Sequence, residues 1–158
     1  MGDELIYRPV APARGPAKAR LTTLQKAEFI HGLDIFSQAS VEELYQLASI
    51  SRETDVASGQ VIFTEKDPGD SFHLVIQGTV EQASEEKNTK EVFGPGEVVG
   101  LESVLTREPR EATAKAVEDT FAITVEAEDL YALLSSNMEI VASIFKHFVR
   151  TLGKGRVR

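Results

Sequence analysis

"GQVIFTEKDPGDSFHLVIQGTVEQAS", Gly59 to Ser84, is the stretch that decides the fold. Short apolar runs alternate with turn residues: Val61–Phe63 opens behind Gly59, and Phe72–Ile76 runs on into Gly78 and Val80. No helical period fits so many interruptions, so the runs read as strands. Between them Asp67–Asp70, "DPGD", predicts a type II turn, in which Pro68 fixes φ at the first central position and Gly69 supplies the positive φ at the second.

Working outward, the same grammar continues downstream. The polar gap Ser84–Lys90 predicts a hairpin tip ahead of "EVFGPGEVVG", and Ala112–Val117 and Phe121–Val125 read as two more strands with Glu118-Asp119 at their turn. Short strands at even spacing predict a small β-sandwich or roll. Upstream and at the far end the period lengthens. "TTLQKAEFIHGL" places Leu24, Ala27 and either Glu28 or Ile30 around a short helix, with Thr22 or Thr23 as N-cap and Gly32 as stop. "SVEELYQLASI" has Ser40 as N-cap and Glu43 at the capping-box position, with Leu44, Leu47, Ala48 and Ile50 on one face. "EAEDLYALLSSN" suits a helix through Leu130, Leu133 and Leu134. In "MEIVASIFKHFVRTLG", Val141, Phe145, Phe148 and Leu152 recur at coiled-coil spacing, and Ile140, Ile144 and Val149 widen the stripe. Such a stripe either closes over the domain or meets a partner helix.

With 158 residues the chain suits one domain. Residues 1–20, rich in Pro, Ala, Gly and Arg, read as an arm or linker, 21–153 as the domain and 154–158 as a basic tail. An apolar share of 42% and a charged share of 27% belong to an ordinary globular protein. No apolar run spans a membrane, and the N-terminus has no hydrophobic core of a secretory signal. The absence of cysteine excludes disulfides and thiolate metal sites, and is compatible with a reducing, cytoplasmic setting.

Charge is uneven. Residues 1–26 hold five bases and two acids, and residues 146–158 five bases and no acid, which leaves 27–145 with seven bases against 23 acids. A body so acidic repels nucleic-acid phosphates. His31, His73 and His147 lie far apart and share no metal-binding spacing; His73 reads as a strand residue facing a loop or solvent. No serine sits in a nucleophile elbow or beside a histidine partner, so the residues support neither an enzyme nor a metal site.

The order of elements, with "GQVIFTEKDPGDSFHLVIQGTV" and "FGPGEVVGLESVLTREPREATAKAVEDT", resembles the cyclic-nucleotide-binding domain family, over roughly Thr23 to Gly153. The resemblance implies an α+β fold: a double-stranded, jelly-roll-like β-roll with N-terminal helices and a C-terminal helix pair. It also implies a phosphate-binding cassette, a short helix whose first backbone N–H groups and one arginine receive the cyclic phosphate of cAMP or cGMP. Aligned on "PREAT", Arg110 falls on that arginine and Gly100 on the cassette glycine. Leu101 stands where the family has the glutamate that bonds the ribose, and Glu102 follows one residue, about 100° of helical rotation, later. Glu111 stands where a small or hydroxyl residue is usual, and Ala112 and Thr113 complete the motif. The cassette is thus degenerate.

Two functions follow from these residues. One is a regulatory sensor in which a cyclic nucleotide repositions the C-terminal helix. The other is a module without nucleotide binding that serves protein interaction or dimerisation, as a homodimer or with a partner through residues 137–152. For Arg110 the alternatives are a phosphate contact and a structural ion pair with Glu111, Glu102 or Glu97. A DNA reader of this family carries a helix-turn-helix after the long helix; only "GKGRVR" follows Leu152, so no nucleic-acid partner is expected of this chain alone.

Overall fold

The computed structural model describes residues 20–153, so the arm before Arg20 and the tail after Gly153 lie outside the described residues. Two helices come first. Helix α1 (Thr23–His31) starts at a Thr22–Gln25 capping box and stops at Gly32; α2 (Val41–Ser49) starts at the Ser40–Glu43 capping box. A 3₁₀ turn at Asp34–Phe36 joins them and buries Ile35 and Phe36. The predicted caps are present, and α1 buries Ala27 and Ile30 while Leu24 stays 53% exposed.

Eight strands follow: β1 (Ser51–Val56), β2 (Val61–Phe63), β3 (Ser71–Gln77), β4 (Val80–Ser84), β5 (Thr89–Phe93), β6 (Val98–Val99), β7 (Thr113–Ala116) and β8 (Thr120–Glu126). They form two four-stranded antiparallel sheets, in the orders β1-β8-β3-β6 and β2-β7-β4-β5. A six-residue helix α3 (Leu101–Thr106) interrupts the roll, and α4 (Ala127–Ser135) and α5 (Met138–Gly153) close the chain. This is the β-roll with flanking helices that the resemblance implies. The larger core packs the first sheet against the helices through Phe36, Leu47, Leu74, Ile123, Leu130 and Ile140. The smaller one, Phe63, Val75, Val80, Phe93, Val99 and Ala114, fills the roll. Burying side chains of this size contributes about 1.5–3 kcal/mol each before the entropy of ordering the chain is set against it.

Two sequence expectations, at Gly69 and at His73, are corrected. Gly69 does not take the positive φ of a type II turn; Lys66 does, at 79°. Gly69 is glycine for space, since a Cβ there would lie 2.6 Å from the Ser103 Oγ and 2.8 Å from its Cβ. His73 faces neither loop nor solvent: it is buried in β3, between the β6 and β8 ladders. On α5 the core-facing residues are Ile140, Ser143 and Ile144, whereas Phe145 and Leu152 of the coiled-coil seam are 68% and 64% exposed. One strand went unread. β1, "SRETDV", has too little apolar character to announce itself, and pairing with β8 from Ser51↔Val125 to Val56↔Thr120 makes it a strand.

Candidate functional site

The segment between β6 and β7 carries the candidate site, and its local geometry starts with Gly100. Its φ is +85°, and a Cβ would lie 2.7 Å from Arg110 Nη1 and 3.0 Å from Phe63 Cε2, so both backbone and space require glycine. α3 then runs six residues and ends at Arg107, which adopts the left-handed conformation at φ 61°. Arg107 lies over the Tyr131 ring at 4.0 Å, and the Tyr131 O–H donates to the Val104 carbonyl at 2.5 Å, tying the end of α3 to α4. Behind Pro109 the backbone is clamped to the DPGD loop: Arg110 N–H donates to the Asp67 carbonyl and Lys66 N–H to the Arg110 carbonyl, at 2.7 and 2.8 Å.

These constraints drive the Arg110 side chain inward, to 2% exposure. Nη1 donates to the Gly100 carbonyl and the Ser103 hydroxyl, both at 2.8 Å, and Nη2 to the Ser71 carbonyl at 2.6 Å. The guanidinium lies 3.9 Å from the centroid of the Phe63 ring, and Asp70 approaches Nη2 at 3.5 Å while 79% exposed. Burial pushes the Arg110 pKa down from its ordinary value, and Asp70 and then Asp67 pull it back. None of the expected partners, Glu111, Glu102 or Glu97, pairs with it. Glu111 instead bonds Lys87 at 2.9 Å, which raises the lysine's pKa. One donor is left over: Arg110 Nε is buried without a partner.

A second buried polar group adjoins this one. His73 stacks on Phe63 at 6.3 Å between centroids, placing Phe63 in contact with both the imidazole and the guanidinium. His73 Nδ1 lies 2.8 Å from the Thr124 hydroxyl and Nε2 3.3 Å from the Ser71 hydroxyl. Burial, reinforced by the charges of Arg110 and Arg52, lowers its pKa to about 3, so the ring is neutral at ordinary pH.

In front of the cassette lies an open cleft of about 960 Å³. Gly100, Leu101, Glu102, Arg110, Glu111 and Ala112 all line it. Thr113 turns elsewhere and accepts the Glu65 N–H at 2.9 Å. Leu101 is buried and belongs to the larger core cluster, while Glu102 is exposed. The sequence reading missed Arg110's partners Ser71, Ser103 and Phe63, because their meeting depends on how strands cross. It also missed His147, Arg150 and Thr151, which bring the last turns of α5 to the cleft. Among the described residues no group of acidic, histidine or cysteine side chains is arranged to hold a metal ion, and no helix is long and apolar enough to cross a membrane.

Comparison with known proteins fits this geometry. The family described as "Cyclic nucleotide-binding domain" matches residues 53–137, which contain the whole roll after β1's first residues and the cassette. The chain belongs to the cyclic nucleotide-binding domain family. Its relatives in that family include the cyclic AMP receptor protein of Thermus thermophilus, 32% identical over 107 residues, covering 65% of this chain and 50% of the relative. A cyclic nucleotide-gated potassium channel of Mesorhizobium japonicum is 29% identical over 119 residues, covering 75% of this chain. The chain spans 32% of that channel's length. Among solved structures, the N-terminal domain of a Streptomyces coelicolor transcriptional regulator superposes with a TM-score of 0.70 at 25% identity, covering 80% of this chain and 94% of that one. The regulatory domain of Toxoplasma gondii PKA, solved with cAMP, shares the fold at a TM-score of 0.65 and 18% identity, over 76% of this chain and 48% of that one.

Proposed function

We propose that residues 21–153 form a regulatory sensor domain whose cleft takes a cyclic nucleotide, cAMP or cGMP, and whose occupancy is coupled to the position of α5. The observation that carries this reading is that one cleft is walled by the cassette on one side and by His147, Arg150 and Thr151 of α5 on the other. An occupant touches both, and it shifts the helix to the extent that it binds one helix position more tightly than another. The unmatched Nε–H of Arg110 supports an anionic group at the cassette. That atom is buried, so a phosphate oxygen meets it only when the side chain turns toward the cleft and gives up contacts to Ser71 or Ser103. Relatives named for cyclic AMP or cyclic nucleotide gating support the ligand class.

A second reading, a module without nucleotide binding that works through protein contact, is favoured by a separate observation. Both Nη atoms of Arg110 are committed to the protein's own acceptors, and Leu101 packs into the core where a ribose-binding carboxylate would stand. Losing that charged hydrogen bond costs roughly 1.5–3 kcal/mol, or about 10- to 150-fold in affinity. Calorimetric titration with cAMP and cGMP separates the readings. The first expects saturable binding of either nucleotide, weak beside family members that keep the carboxylate; the absence of heat up to millimolar nucleotide leaves the second.

Two further expectations arise here. Glu111 stands in the cleft wall, so Glu111→Gln removes an opposing charge and releases Lys87. Nucleotide affinity should rise by up to about fivefold at low salt, the scale of one exposed charge, and the gain should vanish at high salt. A gain that ignores salt would contradict the electrostatic account. On α5, Val141, Phe145, Phe148 and Leu152 form a stripe that supports a homodimer or a partner protein, with Phe145 and Leu152 exposed in the single chain. Sedimentation of the unaltered chain should show dimer, and Phe145→Glu with Leu152→Glu should yield a folded monomer. An unaltered chain that stays monomeric at high concentration removes the self-association arm.

A further inference from the structure

The outward face of α5 is apolar and has a definite period. Met138, Phe145, Val149 and Leu152 are 71%, 68%, 50% and 64% exposed, and Ala142 is exposed as well. These five recur at spacings of four, three, four and three, the seam of a two-stranded coiled coil. At about 100° of rotation per residue they fall within an arc of about 80°, on the side of the helix opposite the core-facing Ile140, Ser143 and Ile144. Val141 and Phe148 are half-buried and border the seam instead of forming it.

The two borders of this seam differ in chemistry. Glu139 and Lys146 flank it on one side, Val141 and Phe148 on the other. Two parallel copies of α5 would lay each charged border against the partner's apolar one, leaving Glu139 and Lys146 beside apolar surface without a counter-charge. Antiparallel copies related by a twofold axis bring like borders together, because residue i meets residue j and j meets i. A register centred between Ser143 and Ile144 then sets Met138 against the partner's Val149 and Ala142 against the partner's Phe145, small side chain against large. The same register puts Glu139 opposite the partner's Lys146, and Val141 opposite the partner's Phe148, once on each side of the axis. We propose that α5 docks on α5 of a second copy of this chain in this antiparallel register, held by the apolar seam and by the pairing of Glu139 with the partner's Lys146. The proposal rests on self-association through α5 and adds to it the orientation, the register and the ion pair.

The chain has no cysteine, so each introduced thiol reports alone. Under a mild oxidant, an equimolar mixture of the Met138→Cys and Val149→Cys chains should give the mixed disulfide dimer, while neither variant by itself should crosslink. In the antiparallel register each of these residues lies about 16 Å along the axis from its own copy, beyond disulfide reach. A parallel pair gives the reverse, crosslinks within each single variant and none between the two, and overturns the proposal while leaving self-association standing. All three crosslinks at equal yield are collision products and overturn it likewise. The ion pair is read separately by sedimentation. Glu139→Lys should weaken the dimer by about tenfold at low salt, and combining it with Lys146→Glu should restore the affinity. A single reversal without effect, or a double variant no tighter than the single one, overturns the register. An unaltered chain that sediments as a monomer at high concentration overturns the proposal together with the self-association on which it rests.

Discussion

Replacing Arg110 by alanine is expected to lower the melting temperature by on the order of 10 °C, before any ligand is considered. The side chain is a structural hub as well as a candidate ligand contact. Its removal strands the carbonyls of Ser71 and Gly100 and the hydroxyl of Ser103 in the interior and uncovers one face of the Phe63 ring. Each buried acceptor left unsatisfied costs about 1–3 kcal/mol, and a domain of this size loses roughly 2–4 °C per kcal/mol. Arg110→Lys keeps the charge but cannot reach acceptors on both β3 and α3, and should fall between the two. Calorimetric melts of the three proteins decide the matter: an alanine variant that melts with the unaltered chain shows that the hub is dispensable. The consequence for function is practical. Loss of nucleotide binding in Arg110→Ala reports on folding as much as on contact, so the lysine variant is the better probe.

What was legible in the sequence follows from how local each signal is. The capping boxes at Thr22 and Ser40 are satisfied within four residues, and they fix the starts of α1 and α2 as expected. The strands from Val61 to Val80 carry their own alternation and turns. β1 carries none, since "SRETDV" becomes a strand only by pairing with β8, some 70 residues away, where Arg52 also finds Glu126. The DPGD loop shows a subtler limit. Pro68-Gly69 has the composition of a type II turn, but a tertiary demand, the approach of Ser103, explains the glycine.

At the site the motif order "PREAT" was enough to single out Arg110 and Gly100, whose close contact makes the glycine obligatory. Sequence spacing could not find the guanidinium's real partners. It favoured nearby carboxylates, whereas the acceptors are two carbonyls and a hydroxyl reached through the crossing of β3 with the cassette. The acidic composition of the middle of the chain was visible from the start, yet only the fold gathers six carboxylates on one cleft. The α5 stripe shows the reverse case. Its period was clear, but a period cannot say which side of a helix meets the domain; Ile140 and Ile144 take that role.

The buried imidazole of His73 leads to the second large effect, a steep loss of stability in mild acid. In the unfolded chain a histidine titrates near 6.5; in the fold, desolvation and the neighbouring Arg110 and Arg52 lower it to about 3. Between those values the unfolded state holds a proton that the folded state refuses, so stability is complete above about pH 6.5 and falls as pH drops toward 3. The slope approaches about 1.4 kcal/mol per pH unit, and between pH 7 and 4.5 this one group removes about 2.5 kcal/mol, a large share of an ordinary domain's stability. His73→Phe keeps a ring against Phe63 and cannot take up the proton; the Thr124 hydroxyl retains its 2.7 Å bond to Thr54. Its absolute stability differs from that of the unaltered chain, so the informative quantity is the slope. Urea unfolding at pH 7, 6, 5.5, 5 and 4.5 should give a difference between the two proteins that shifts in favour of the variant by about 2.5 kcal/mol across the range. A difference that stays constant with pH would mean that His73 accepts its proton in the folded state, and that the Ser71–His73–Thr124 contact opens to water more readily than its burial implies.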